Sequence, residues 1–89
     1  MNYNLKHFYL QLEEQNGEYE YTHRSVYELP DGQIESAQRI ADLIAKEFYG
    51  GNSNNEDGGY YFFEGEIFVK VSSLQLISEE HYNITRMYL

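Results

Sequence analysis

The chain has no cysteine, so neither a disulfide framework nor a thiolate metal site is available, and nothing fixes the redox compartment. Long apolar runs are missing too. No stretch approaches the roughly 20 residues that a membrane-spanning helix needs, and the opening "MNYNLKHFYL" lacks the apolar core of a secretory leader. A cytoplasmic location is the expectation. Basic residues are scarce, six Lys and Arg against fifteen Asp and Glu, for a formal charge of -9 at pH 7. Such a field repels phosphate backbones and anionic lipid and attracts basic protein surfaces, which disfavours direct nucleic-acid or membrane binding. The same charge also serves solubility.

Catalytic signatures are equally sparse. Walker, GxGxxG and GxSxG patterns do not occur, and the three histidines, His7, His23 and His81, lie on separate elements without ligand spacing. Asp57, Glu66 and Lys70 resemble the two carboxylates and lysine of metal-dependent nucleases. The lysine, however, stands four positions after the glutamate rather than two, in a field that repels substrate phosphates. At 89 residues the chain is one domain, 1–89, that buries roughly two-thirds of its unfolded surface and has little room for an enclosed active site. The expectation is a protein that is not an enzyme, with no cofactor and no metal.

Aromatic residues are plentiful. Ten Tyr and five Phe exceed what so small a core encloses, and tyrosine tolerates half-burial at interfaces. Residues 6 to 29 alternate as two strands around Asn16-Gly17, a strong two-residue turn signal. Pairing Gln15 with Glu18 puts Phe8, Leu10 and Leu12 on a core face with Tyr19, Tyr21, His23 and Ser25. Tyr9, Gln11, Glu13, Glu20, Thr22 and Arg24 go to the other face, with Glu13 and Glu20 as direct neighbours.

Pro30-Asp31-Gly32 breaks the strand, and Ile34 to Tyr49 follows helical spacing, with Ile34, Ala37, Ile40, Ala41, Ile44 and Phe48 on one stripe and Gly50 as a left-handed cap. A polar loop, "GNSNNEDGG", leads to a second hairpin turning at Glu64-Gly65. Its core face is Tyr60, Phe62, Ile67, Val69 and Val71, with Tyr61, Phe63, Glu66, Phe68 and Lys70 opposite. Beyond Ser73, Ser78 followed by Glu79 and Glu80 reads as a capped helix start, while Tyr82, Ile84 and Tyr88 also alternate as a strand would. The fold class is α+β: an antiparallel sheet with one main helix on one face, in the order β-β-α-β-β plus a short C-terminal element.

The segment "SNNEDGGYYFFE", residues 53 to 64, carries oxygens at Ser53, Asn55 and Asp57 and ends on Glu64, which approximates the spacing of a calcium loop. Serine replaces the opening aspartate and strand residues follow in place of a helix. The segment therefore reads as a turn.

The segments "SAQRIADLIAKEFYGG", "GGYYFFEGEIFVKV" and "LISEEHY" resemble small acidic proteins of phages and mobile elements. In size, acidity and lack of cysteine the chain is similar to anti-CRISPR proteins and anti-restriction DNA mimics. The resemblance implies an inhibitor whose carboxylates occupy a basic, nucleic-acid-binding surface of a defence effector such as a CRISPR or restriction complex. Expected contact residues are Tyr9, Glu13, Glu20, Tyr61, Glu66 and Phe68 on the open sheet face, with Glu56 and Asp57 in the loop. A structural or regulatory homodimer that uses the aromatic face as its own interface is the alternative.

Overall fold

The computed structural model describes residues 5–30 and 34–89. The elements run β1 Leu5–Asn16, β2 Tyr19–Pro30, α1 Ile34–Lys46, β3 Asn54–Glu56, β4 Gly59–Phe62, β5 Ile67–Ile77 and α2 Glu79–Met87. They build one sheet in the order β2-β1-β5-β4-β3, with every neighbouring pair antiparallel. The fold is α+β, as the patterning implies. It differs from the expected order by the extra strand β3 and by resolving the C-terminal element as a helix. Asp31 and Gly32, read as a strand breaker, lie outside the described residues, as does the side chain of Ile34.

Alternation along β1 decides the core. Phe8, Leu10 and Leu12 are buried on one face, and Tyr60, Phe62, Ile67 and Val69 join them from the second hairpin, with Val71 packed against the cluster. These are the faces expected from the pattern. The turn is not the expected one: Asn16 pairs with Tyr19, so Gly17 and Glu18 form the loop, with Gly17 at φ 64°. Glycine at the first central position suits a two-residue turn of the II′ kind. The register moves by two residues, which preserves every face. It sets Phe8 against Tyr27, whose rings stack at 5.6 Å, and replaces the expected Glu13–Glu20 neighbours by Glu13 opposite Thr22. Like charges no longer face each other, which favours this register over the other.

Helix α1 packs chiefly on β5, with β4 and β1 beneath it. It buries Ala37, Ala41 and Ala45, one small residue per turn, which brings the helix close to the sheet. Ile44, expected on the buried stripe, is exposed, and Ile40 is half-buried. Because α1 sits over β5 and not over the tip of the first hairpin, Tyr19 and Tyr21 remain exposed on the face where they were expected to be covered. The helix ends at Lys46, earlier than expected. A turn closed by Gly50 N–H donating to the Glu47 carbonyl at 2.9 Å follows, with Gly50 left-handed at φ 82°. Ser53 Oγ donates to the Lys46 carbonyl at 3.0 Å, satisfying a helix-end acceptor.

Asp57 and Gly58, at φ 57° and 78°, form the type I′ turn of the β3–β4 hairpin. The calcium-like spacing is therefore spread along a helix-capping serine, a strand, its turn and the next turn. Gly59 has a packing reason: an added Cβ would lie 2.6 Å from the Phe68 ring and 2.7 Å from the Val69 carbonyl. Strand β5 carries a bulge at Ser72, since Gln11 pairs with Ser73 but Leu12 with Val71. The extra residue exchanges the faces, so Leu74, not Ser73, continues the core face beside Leu10. Helix α2 starts on Ser78, whose Oγ accepts from His81 N–H at 3.0 Å, and packs on β1 and β2, with Tyr82 over the buried His7 at 4.6 Å. Among the described residues no helix is long and apolar enough to cross a membrane.

These burials set unequal costs. Phe62→Ala or Leu10→Ala should lose about 2–5 kcal/mol of unfolding free energy in urea, because each empties a sealed core position. Ile44→Ala, on the exposed side of α1, should lose less than about 1 kcal/mol. Equal losses at Ile44 and Phe62 would contradict the helix orientation.

Candidate functional site: an open sheet face and an acidic end

Side chains opposite the core fall into two groups. Toward the hairpin tip, Glu13, Glu20, Phe68 and Lys70 line a cleft of about 230 Å³. Glu13 is held from three sides, by Gln11 Nε2 at 2.9 Å, Thr22 Oγ1 at 2.9 Å and Ser72 Oγ at 3.5 Å, while Tyr9 donates to Gln11 Oε1 at 2.8 Å. The hydrogen bond from Gln11, followed by that from Thr22 and aided by the charge of Lys70, lowers the Glu13 pKa. This carboxylate is already partnered within the chain. Arg24 lies opposite Gln11, and Lys70 lies opposite Glu13. The open face thus mixes signs, with Arg24 and Lys70 on it beside the acids as the alternation of the sequence places them.

The second group lies at the β3–β4 end. Asn54, Glu56, Asp57, Tyr61, Glu64 and Gly65 line a cleft of about 370 Å³. The Tyr61 ring packs against that of Phe68, tilted by 37° at 4.6 Å, and its hydroxyl donates to Asp57 Oδ2 at 3.0 Å. That hydrogen bond, with some desolvation and the charges of Asp57 and Glu56, raises the Tyr61 pKa. Tyr61 and Phe68 are half-buried, while Glu56, Asp57 and Glu66 are exposed. The pair joins the two clefts, whereas Tyr9 sits beyond them, half-buried and paired with Val26 and Gln75. Phe63 leaves the open face altogether. At φ 52° in the β4–β5 turn its ring reaches Tyr49 on the α1 side at 5.5 Å. With Phe63 turned away and α2 over the His7 end, the aromatic face is smaller than expected.

A third cluster escaped the sequence reading. Glu14 is 4 % exposed on the core face, where it accepts from the Tyr49 hydroxyl and from Asn16 Nδ2 at 3.5 Å, and its Oε1 lies 2.7 Å from His23 Nε2. The His23 ring packs against Phe48 at 4.7 Å, and Tyr49 meets Phe62 edge-on at 5.3 Å. Burial raises the Glu14 pKa, but the hydrogen bonds from Tyr49 and His23, with the charge of His23 and the hydrogen bond from Asn16 behind them, outweigh it and leave the pKa lowered. The same bond to Glu14 is the main cause that pushes Tyr49 up to about 12. The signal was present in the sequence: Glu14 is the next even position after Phe8, Leu10 and Leu12 and had to be buried with donors. Its partners come from β2 and from the exit of α1, so the cluster fastens that exit to the sheet.

His7 and His23 stand on opposite faces of the first hairpin, as its register dictates. Among the described residues no three His, Asp or Glu side chains converge as a metal site. Comparison with protein-family models, curated proteins and solved structures gives no match to this chain.

The pKa directions give a pH profile. Glu14, with its pKa lowered, contributes stability that is complete above the ordinary glutamate range and is lost as pH falls through its folded value. Tyr49, with its pKa raised, contributes stability that is present below its ordinary value of 10 and is lost as pH rises toward about 12. Thermal melts should therefore fall at both extremes, and Tyr49→Phe should weaken both limbs. Glu14→Gln should cost about 1–3 kcal/mol at neutral pH, the usual penalty for disturbing a buried hydrogen-bonded group. Wild-type melting of Glu14→Gln across the whole range would show that the cluster is not formed.

Proposed function

We propose that this chain is a non-enzymatic binding protein whose acidic end engages a basic protein surface. The observation that carries the reading is the distribution of charge. Between Lys46 and Lys70 there is no Lys, Arg or His, and the same stretch contains Glu47, Glu56, Asp57, Glu64 and Glu66. Its last four acids stand at the end of β3 and on the two turns of the β3–β4–β5 meander, around the Tyr61–Phe68 pair. Uncompensated carboxylates steer a basic partner and suppress wrong ones, while a half-buried aromatic pair supplies the apolar contact that slows dissociation. Glu13, expected to share this role, is the weaker candidate because Lys70 and its hydrogen bonds already satisfy it.

In the narrower form that the resemblance implies, the basic surface is one on which a CRISPR or restriction effector binds nucleic acid, and the chain inhibits by occupying it. Carboxylates on rigid turns substitute for phosphates in such a groove, and the aromatic pair for bases. The partner-binding set is then Glu56, Asp57, Tyr61, Glu64, Glu66 and Phe68, with Glu20 at the margin.

The test is competition on such an effector. The wild-type chain should displace duplex DNA, and its affinity should fall steeply as salt is raised, because exposed charges are screened over about 8–10 Å near physiological ionic strength. Changing Glu56, Glu64 and Glu66 to Gln and Asp57 to Asn together should abolish displacement and leave the melting temperature unchanged or raised. Tyr61→Ala should speed dissociation and leave the salt slope nearly intact. Normal displacement by the four-site variant would mean that these acids serve solubility alone.

A further inference from the structure

We infer that the free half of β5 is a dimerisation edge that pairs antiparallel with the same strand of a second copy of this chain. The inference rests on backbone accounting and is independent of the acidic end. β5 runs from Ile67 to Ile77, but β4 pairs only with Ile67, Phe68 and Val69. Beyond Val69 that side of β5 has no neighbouring strand among the described residues. The hairpin turn makes Asn16 and Tyr19 a hydrogen-bonded pair, so even residues of β1 bond to β2 and odd residues bond to β5. Gln11, Tyr9 and His7 therefore bond Ser73, Gln75 and Ile77. The N–H and C=O groups of Val71, Leu74 and Leu76 point the other way, toward the open edge.

The two long edges of the sheet are managed differently. β2, the outer strand, carries Glu20, Arg24 and Glu28 at every fourth position and ends in Pro30, the charged and proline-blocked form that discourages strand addition. β5 carries no charge from Val71 to its end at Ile77. Two chains of charge -9 meet at least cost along such a segment. The bulge does not block the edge, because Ser72 Oγ is bonded back to the Gln11 carbonyl at 3.1 Å.

The geometry specifies a second copy over other strands. The free segment Val71–Ile77 is centred on Leu74, a residue whose polar groups face outward. Antiparallel pairing about Leu74 therefore bonds the two Leu74 residues to each other and sets Leu76 of each copy opposite Ser72 of the other, and each chain turns away into α2 after Ser78. Above the edge, Gln38, Arg39, Ala41 and Asp42 of α1 form a groove of about 470 Å³ with Val71 and Leu74. A two-fold axis through Leu74 places the two α1 helices antiparallel on the same side of the joined sheet. Arg39 of each copy then faces Asp42 of the other, one helical turn apart and of opposite charge, so the surface is self-complementary.

Sedimentation of the full chain over a concentration series, with amide exchange read at Val71, Leu74 and Leu76, tests the assignment. The wild type should sediment at twice the chain mass, and the Leu74 and Leu76 amides should gain protection as concentration rises, whereas that of Val71, opposite Ile77, should not. Leu74→Lys should abolish the dimer, but Leu74 also touches the core. Arg39→Asp, at an exposed helix position, should keep the wild-type melting temperature of the monomer and raise the dissociation constant by roughly tenfold or more. A monomer at all concentrations up to about a millimolar, or a dimer unaffected by Arg39→Asp whose Leu74 and Leu76 amides exchange independently of concentration, would overturn the inference.

Discussion

A carboxylate almost sealed from water tolerates few arrangements around it, and Glu14 is the constraint on which the rest of this fold depends. An ionised group at that depth is costly unless donors surround it. Its donors are drawn from three places in the chain: Asn16 beside the first turn, His23 on β2 and Tyr49 beyond α1. Meeting them fixes the register of the first hairpin, because a slip of one residue would carry Glu14 to the opposite face. It also fixes where α1 leaves the sheet, because Tyr49 must reach back across to β1. Phe48 and Tyr49 then pack on His23, Phe62 and Phe63, so the polar cluster and the aromatic core share a wall. Replacing Glu14 by an apolar residue could leave stability intact while loosening the register, the separation of stability from specificity that buried ionic groups permit.

Periodicity made the faces of the sheet legible and left the register open. Alternation in β1 and in the second hairpin assigned the buried residues correctly, because a two-residue displacement of the turn preserves parity. Only long-range pairing separates Asn16-Gly17 from Gly17-Glu18: the Phe8–Tyr27 stack and the relief of Glu13 from Glu20. Neighbour-by-neighbour reading cannot see the stack, and the Glu13–Glu20 contact shows only after a register has been assumed. The helix was legible as an element, but its buried stripe was not, because Ile44 outweighs Ala45 in any hydropathy count while the close approach to β5 selects the alanines. Strand β3 is three residues of Asn-Asn-Glu. Its strand character comes from pairing with β4 across an Asp-Gly turn and not from its own propensity.

The candidate site was legible in composition and not in position. Acids and aromatics announced a binding surface, and Tyr61, Phe68, Glu56 and Asp57 do converge. Glu13 did not remain available, because Lys70, Thr22 and Ser72 reach it from two other strands. Glu64 was legible as a turn residue and as the end of the calcium-like segment but not as a member of this cleft, because a turn residue has no periodicity to assign it a face. Phe63 followed the alternation of β4 on paper, but a left-handed backbone at the strand end sends it to the α1 side. Residues just outside a strand are where parity arguments stop applying.

The shortness of β4 ties the two exposed surfaces together. Gly59 begins that strand under the ring of Phe68, where any Cβ would collide with it, and the same ring completes the pair with Tyr61 at the acidic end. The Asp57-Gly58 turn immediately before it sends the chain back as β3 and gathers Glu56 and Asp57 beside Tyr61. One turn therefore concentrates negative charge at this end and stops β4 after four residues, leaving most of β5 without a neighbour. Charge is concentrated at the end proposed to meet a basic partner and is sparse along the strand edge proposed to meet a second copy. A chain with its acids spread evenly along every strand could not present both surfaces, because the field that steers a basic partner would also keep its own copies apart.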